Sequence, residues 1–261
     1  MIRLRGLLIA CLAIPAFAVA GTIPTGLTNP LPAAATPDDG PAANRAAAPA
    51  WTACAKTLDG ITTHLGRTQR TVIIVNQTSK THARVSFWVR TDGACSVQRM
   101  FLTTTARIGY NGTVAGKRRK QGSGTTPRGR YTMTEAFGNG SAPPTSMPYH
   151  RVAKGDYWVG DNKSDYYNSL RNKADGGFRW RLPSSSANAS ENLRAFGKQY
   201  RYVAVINFNR APDVKKHYRG YGIFLHVKGS GATAGCVGVT RNQMRTVLAN
   251  LQPGDTIKIA R

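Results

Sequence analysis

Acidic side chains are scarce in this chain. Its 261 residues hold 12 Asp and Glu, only two of them glutamate, against 36 Lys and Arg, for a formal net charge of +24. That imbalance points to an anionic setting, such as cell-wall polymer, an acidic membrane surface or nucleic acid, without choosing among them. Nucleic-acid motifs are missing: no helix-turn-helix, zinc finger or aromatic RNA-binding signature accompanies the densest basic run, Lys117-Arg118-Arg119-Lys120. The run reads as a solvated loop, and no nucleic-acid partner is expected. Zinc spacing is missing as well. His64, His82, His150 and His217 are scattered among polar residues and read as surface histidines, so neither a metal nor a cofactor is expected. After the first 20 residues nothing approaches the roughly 20 apolar residues that span a bilayer, so no transmembrane helix is expected in the mature chain. Regular alternation of strand and helix is also lacking, which excludes a doubly wound parallel sheet.

What is present begins with an export pattern. Arg3 and Arg5 precede an apolar run from Leu7 to Val19, and Ala18-Val19-Ala20 before Gly21 has the small-residue form of a signal-peptidase site. Residues 1–20 read as a signal peptide. The rival reading, Leu8-Ile9-Ala10-Cys11 as a lipoprotein box, leaves only about four apolar residues ahead of the cysteine, short against the roughly seven of an h-region. Residues 21–50, rich in Pro and Ala and without periodicity, read as a flexible tether, and residues 51–261 as one folded domain.

Loss of the leader removes Cys11 and leaves Cys54, Cys95 and Cys236. In an oxidising compartment this predicts one disulfide and one free thiol. Cys54 and Cys95 share polar settings near the start of the domain, so they are paired, a closure worth roughly 4 kcal/mol on the chain-entropy model. Cys236 stays free among glycines. It is then either a buried inert thiol or one put to use.

Local patterns predict many short strands and two or three helices. Thr71–Val75 and Ala83–Val89 read as strands joined by a turn at Asn76–Lys80, and Trp51–Leu65 as a short helical or irregular segment carrying Cys54. Thr126-Pro127-Arg128-Gly129 reads as a turn feeding a strand from Arg130 to Thr134. The aromatic-dotted region from Pro148 to Pro183 either lines a cleft or packs on the sheet. A helix capped by Ser190 would place Leu193, Phe196 and Tyr200 on one face, with a strand following from Tyr202 to Phe208. Asp255–Ala260 reads as a final strand.

The stretch from Gly222 to Thr240, GIFLHVKGSGATAGCVGVT, is the most informative. Ile223-Phe224-Leu225 reads as a buried strand ending at His226, and Gly229, Gly231 and Gly235 give the next loop unusual conformations before Cys236. Thr240 and Gln243 have capping-box spacing, followed by an amphipathic helix with Met244, Val247, Leu248 and Leu251 on one face. A thiol near pKa 8.5 needs a neighbouring base to act as a nucleophile, and His226 is the nearby candidate. The amides of Gly235 and Cys236 are candidates for holding a tetrahedral oxyanion.

Thr233-Ala-Gly-Cys236-Val, after a hydrophobic strand ending in His226, resembles the active-site signature of bacterial L,D-transpeptidases, the YkuD domain. Supporting pieces are Gly122-Ser-Gly-Thr-Thr-Pro-Arg-Gly129, Ala136-Phe-Gly138, Pro148-Tyr149, Asp165-Tyr-Tyr-Asn168, Ile206-Asn-Phe-Asn209 and Pro253-Gly254. The resemblance implies a mainly β fold, a sandwich or barrel-like body, in a secreted enzyme of the cell wall or periplasm. It implies cysteine acyl transfer on peptidoglycan stem peptides: the thiolate attacks the carbonyl after the third residue of a tetrapeptide, terminal D-alanine leaves, and an amine takes the acyl group. Carried over, Cys236 is the nucleophile, His226 the base and later the acid, Gly235 with Cys236 the oxyanion hole, and the Val227 carbonyl the histidine's partner. Anionic wall polymers would be partners through charge. The sequence departs from the pattern at Ala234, where many members have His, and at Gly238, where many have Arg or Asn. An L,D-carboxypeptidase using water as acceptor, and a non-catalytic basic wall-binding protein, are the competing readings.

Overall fold

The computed structural model describes residues 51–212 and 215–261. The signal peptide and tether expected over residues 1–50 lie outside the described residues. The first element among the described residues is a hairpin of β1 (Cys54–Leu58) and β2 (Ile61–Leu65), not the helical or irregular segment expected there. Asp59 and Gly60 both take positive φ, 49° and 79°, the two-residue turn geometry that matches strand twist. Its short Thr-rich run alternates, with Leu58, Thr63 and Leu65 buried. The hairpin covers one face of β3 (Thr71–Gln77), which pairs with β4 (His82–Arg90), and β4 with β5 (Val97–Arg107). Cys54 and Cys95 form a disulfide with a Cα–Cα separation of 6.5 Å, tying β1 to the β4–β5 connection.

The continuous apolar run of β3 follows from burial on both faces. Val72 and Ile74 join Leu58, Leu65 and Cys95 beneath the hairpin, while Ile73 and Val75 enter the main core. The chain continues through β6 (Thr113–Ala115), β7 (Thr126–Thr132), β8 (Ala136–Gly138) and β9 (Tyr149–Arg151). Thr126–Gly129 is therefore the first part of a strand rather than a turn feeding one. Gly129 is extended there, and a Cβ on it would fall 2.5 Å from the Tyr131 hydroxyl oxygen, so the close packing of that ring, not a turn, accounts for the glycine. A small separate sheet, β10 (Asp156–Trp158) flanked by β11 (Leu170–Asn172) and β12 (Glu191–Asn192), comes from the aromatic region.

The expected helix after Ser190 is replaced by two 3-10 turns, Leu193–Phe196 and Gln199–Arg201. Gly197 at φ 36° and Tyr200 at φ −97°, ψ 27° interrupt the run, and the cap is the Asn192 side chain. Ser190 Oγ accepts instead from the Gly160 amide at 3.1 Å. The strand expected from Tyr202 to Phe208 shortens to β13 (Val203–Val205). Then come β14 (Phe224–Val227), β15 (Val237–Val239), α1 (Arg241–Asn250) and β16 (Thr256–Ala260). β3 to β9 and β13 to β16 build one mixed sheet in the order β6-β7-β16-β3-β4-β5-β15-β14-β13-β8-β9. The fold is mainly β.

α1 is capped as its spacing predicts: Thr240 Oγ1 accepts from the Gln243 amide at 3.3 Å and the Gln243 side chain accepts from the Thr240 amide at 2.9 Å. Met244, Val247, Leu248 and Leu251 are fully buried in the main core with Leu225, Val237 and Val239. The start of β16 is pinned to β3 by the buried Asp255 carboxylate, which accepts from the Arg70 and Thr71 amides and the Thr71 hydroxyl.

Candidate active site

β14 and β15 run parallel, with Leu225 opposite Val237 and His226 opposite Gly238. Parallel neighbours oblige the chain to travel back the length of the strand, and the glycine-rich segment from Lys228 to Cys236 makes that return. Period-two alternation then sorts the side chains. Ile223, Leu225, Val237 and Val239 enter the main core, while Phe224 and Cys236 join Phe137, Trp158, Leu193 and Tyr200 in a second cluster on the other face. His226 shares that second face, one pleat repeat along, and its ring meets Tyr200 edge-on at 5.5 Å. A cavity of about 710 Å³ opens there, lined by Cys236, His226, Arg119, Glu191, Tyr200 and Tyr221 among others.

Thr233 ties the return loop together. Its amide donates to the Ile108 carbonyl at 2.9 Å and its carbonyl accepts from the Tyr110 amide at 2.8 Å. Its hydroxyl donates to the Cys236 carbonyl at 2.6 Å and accepts from the Gly235 amide at 3.2 Å. Gly235 takes φ 142°, and a Cβ on it would lie 2.8 Å from Arg119 Nη2 and 2.9 Å from the Thr125 carbonyl. Both the backbone angle and the crowding require glycine immediately before Cys236.

Cys236 is the free cysteine among the described residues, and it is buried. Its thiol donates to the Gly222 carbonyl at 3.3 Å and accepts from the Phe224 amide at 3.4 Å. No hydrogen bond joins it to His226. Burial, reinforced by the Glu191 carboxyl, pushes the thiol up to about 12, against the Phe224 amide and the Arg119 guanidinium, which pull it down. At neutral pH the resting group is therefore a thiol. Burial also lowers the His226 pKa, opposed by its backbone bond. His226 Nδ1 lies 2.9 Å from the Val227 carbonyl, which can only accept, so Nδ1 carries the proton and Nε2 presents its lone pair.

Sequence patterns leave the rest of the wall unmarked. Arg119, within the basic run expected to be solvated, is only 6% exposed, whereas Lys117, Arg118 and Lys120 are exposed. It is drawn inward because its guanidinium has carbonyls to bond: Thr125 at 2.7 Å, Arg219 at 3.3 Å and Ala234 at 3.4 Å. No carboxylate among the described residues pairs with it. Glu191 is pushed up to about 7 by burial, against a hydrogen bond from the Tyr200 hydroxyl. Burial raises Tyr200 and Tyr221 as well, so both remain phenols. From the aromatic region, Tyr157 and Trp180 reach the cavity wall and Trp158 packs beneath it, so that region both lines a cleft and packs on the sheet.

The remaining histidines stand elsewhere. His64 and His150 are exposed and His150 meets Asp156 at 2.7 Å, whereas His82 and His217 are half-buried, His82 against Arg107 and His217 against the Asn162 carbonyl. Among the described residues no group of three or more His, Cys, Asp and Glu is placed to hold a metal, and no helix is long and apolar enough to cross a membrane. Ala234 offers only its carbonyl to Arg119, and Gly238 leaves no side chain opposite His226, where a Cβ would press on Lys228 at 3.0 Å.

The model of the YkuD L,D-transpeptidase catalytic domain matches residues 70–259. Among solved structures, the chain is similar to Bdellovibrio bacteriovorus Bd1075 at 17% identity and a TM-score of 0.37, over 73% of this chain and 48% of that one. It is similar to Mycobacterium tuberculosis L,D-transpeptidase 1 at 13% and 0.32, over 77% and 67%, and to an L,D-transpeptidase of Stackebrandtia nassauensis at 15% and 0.30, over 73% and 55%. This chain thus spans about half the length of the first of these. No curated protein matches the sequence.

Proposed function

This chain belongs to the YkuD L,D-transpeptidase catalytic domain family, and we propose that it is an exported cysteine acyltransferase that cross-links peptidoglycan stem peptides. The observation that carries the reading is the shared face of β14 and β15. It brings the free Cys236 and a His226 imidazole with an unprotonated Nε2 to the wall of one cavity. Residues 1–20 serve as the export signal, 21–50 as the tether and 51–261 as the catalytic domain, in the cell wall or periplasm, and the Cys54–Cys95 disulfide is consistent with that compartment. The net charge of +24 holds the enzyme near anionic wall polymers.

Because the resting thiol is protonated, attack and proton transfer are coupled. The Cys236 side chain turns from the Gly222 carbonyl toward His226, whose Nε2 takes the proton as sulfur bonds to the carbonyl carbon after the third stem residue. The Val227 carbonyl holds the imidazole and stabilises its charged form. The oxyanion forms beside the Cys236 amide and the Gly235 amide, the latter released from the Thr233 hydroxyl. His226 then protonates the departing D-alanine amine, the C–N bond breaks, and the thioester remains for an acceptor amine.

Incubation of the protein with a purified disaccharide tetrapeptide tests this reading, with cross-linked dimer as the expected product. Free tripeptide alone would make the protein an L,D-carboxypeptidase, and an unchanged substrate with no adduct on Cys236 would leave a wall-binding protein.

A further inference from the structure

In a chain with only two glutamates, one stands inside the cavity. Among the described residues Glu191 is the one carboxylate on its wall, placed there by β12, where it pairs with Trp158 of β10. Its Oε1 takes the Tyr200 hydroxyl, and among the described residues nothing hydrogen-bonds to Oε2. That second oxygen faces Gly222, where a Cβ would lie 3.2 Å from it, and the Gly222 carbonyl is the group that accepts the Cys236 thiol. The titratable groups around Glu191 are the phenols of Tyr200 and Tyr221 and the thiol of Cys236, with His226 behind the Tyr200 ring. The cavity's cation, Arg119, is committed to backbone carbonyls.

A largely buried carboxylate without a cation is costly, and a chain this basic has no shortage of cations to supply one. The missing partner fits something that arrives: a cation bearing N–H donors, small enough to stand beside the thioester. Building on the acyl-transfer reading above, we infer that Glu191 binds the primary ammonium of the acyl acceptor and removes its proton for attack on the Cys236 thioester. The ammonium gives one proton to Glu191 and its nitrogen lone pair bonds to the thioester carbonyl carbon. The C–S bond breaks, its electrons stay on Cys236 sulfur, and the second proton leaves the new amide nitrogen for that sulfur through His226. Glu191 later releases its proton to solvent. The two pKa values approach one another in the cavity, since burial raises the carboxyl and lowers an ammonium.

The test is Glu191→Gln in the full chain, which keeps an acceptor for Tyr200, with donor tetrapeptide and Nα-acetyl-lysine as the amine. Acyl-enzyme formation, read by intact mass without the amine, should be at least as fast as in the wild type, because the variant removes the charge that raises Cys236. Transfer to the amine should fall about 100-fold or more. In the wild type, the transfer rate should climb with pH and level near 7, whereas an unassisted amine keeps climbing toward its own pKa of about 10. Undiminished transfer in the variant, or equal loss of acylation and transfer, would overturn the assignment. So would a wild-type profile that climbs without levelling through pH 9, a measurement that stands even if the variant does not fold. A wild type that forms no acyl-enzyme at all would instead refute the acyl-transfer reading, and this inference with it.

Discussion

The two faces of β14 and β15 are built from alternate residues of the same two strands, yet they differ in kind. One face, Ile223, Leu225, Val237 and Val239, is wholly apolar and closed against α1. The other carries Phe224, His226, Cys236 and Gly238 toward a cavity whose wall holds Arg119, Glu191, Tyr200 and Tyr221, all with pKa values moved by burial. Burial on the first face stabilises the fold. On the second, Phe224 still packs against the Phe137 and Trp158 rings, but burial of the polar groups beside it costs stability and produces chemistry: a neutral thiol, a neutral imidazole with a free nitrogen, and a carboxyl that titrates near neutrality. Because the pleat has period two, neither face can be changed by sliding the strand without exchanging both.

Substitutions on the two faces should therefore separate activity from stability. The largest effect expected is from Cys236→Ala, which removes the proposed nucleophile. Turnover on a tetrapeptide donor should fall by at least ~10⁴-fold with the thermal midpoint unchanged or raised, measured by product chromatography and calorimetry. His226→Gln should cost ~10²- to 10⁴-fold in kcat, again with the fold intact. On the opposite face, Leu225→Ala should destabilise the protein by about 2–5 kcal/mol in denaturant titration, while each folded molecule keeps its activity. Comparable stability losses from His226→Gln and Leu225→Ala would show that the two faces do not differ in this way.

A smaller effect sharpens the electrostatic half of the contrast. Glu191 has its folded pKa raised from 4.5 to about 7, so its contribution to stability is full below the unfolded value and is lost as pH rises through about 7. His226 has its folded pKa lowered, so its contribution is present above the ordinary histidine value and is lost as pH falls. The two slopes oppose each other in the wild type. Stability of Glu191→Gln minus that of the wild type should therefore rise between about pH 4.5 and 7 and be flat outside that window, by chemical denaturation at a series of pH values. Smallest of all, Thr240→Ala should cost about 1 kcal/mol through the lost helix cap, with no effect on chemistry.

The stretch from Gly222 to Thr240 was legible in the sequence because its signals are local. An apolar run, loop glycines, a capping box and helical spacing each act within a few residues, and β14 and α1 stand where those signals put them, whereas the three-residue β15 carried no signal of its own. The paired strands β3 and β4 were legible for the same reason. Elsewhere local signals misled: the alternation in Cys54–Leu65 is too short to outweigh its polar composition, and Gly197 breaks a helical face that Leu193, Phe196 and Tyr200 would otherwise share. Arg119, Glu191 and Tyr200 reach the cavity from segments far from Cys236 along the chain, and no spacing announces them.

The most direct test is intact-mass and peptide mapping of the wild-type protein after brief incubation with a carbapenem at neutral pH. A single covalent adduct is expected, mapped to Cys236 and absent from Cys236→Ala, while Cys54 and Cys95 remain disulfide-bonded. An unmodified protein, or an adduct that survives the Cys236→Ala substitution, would contradict it.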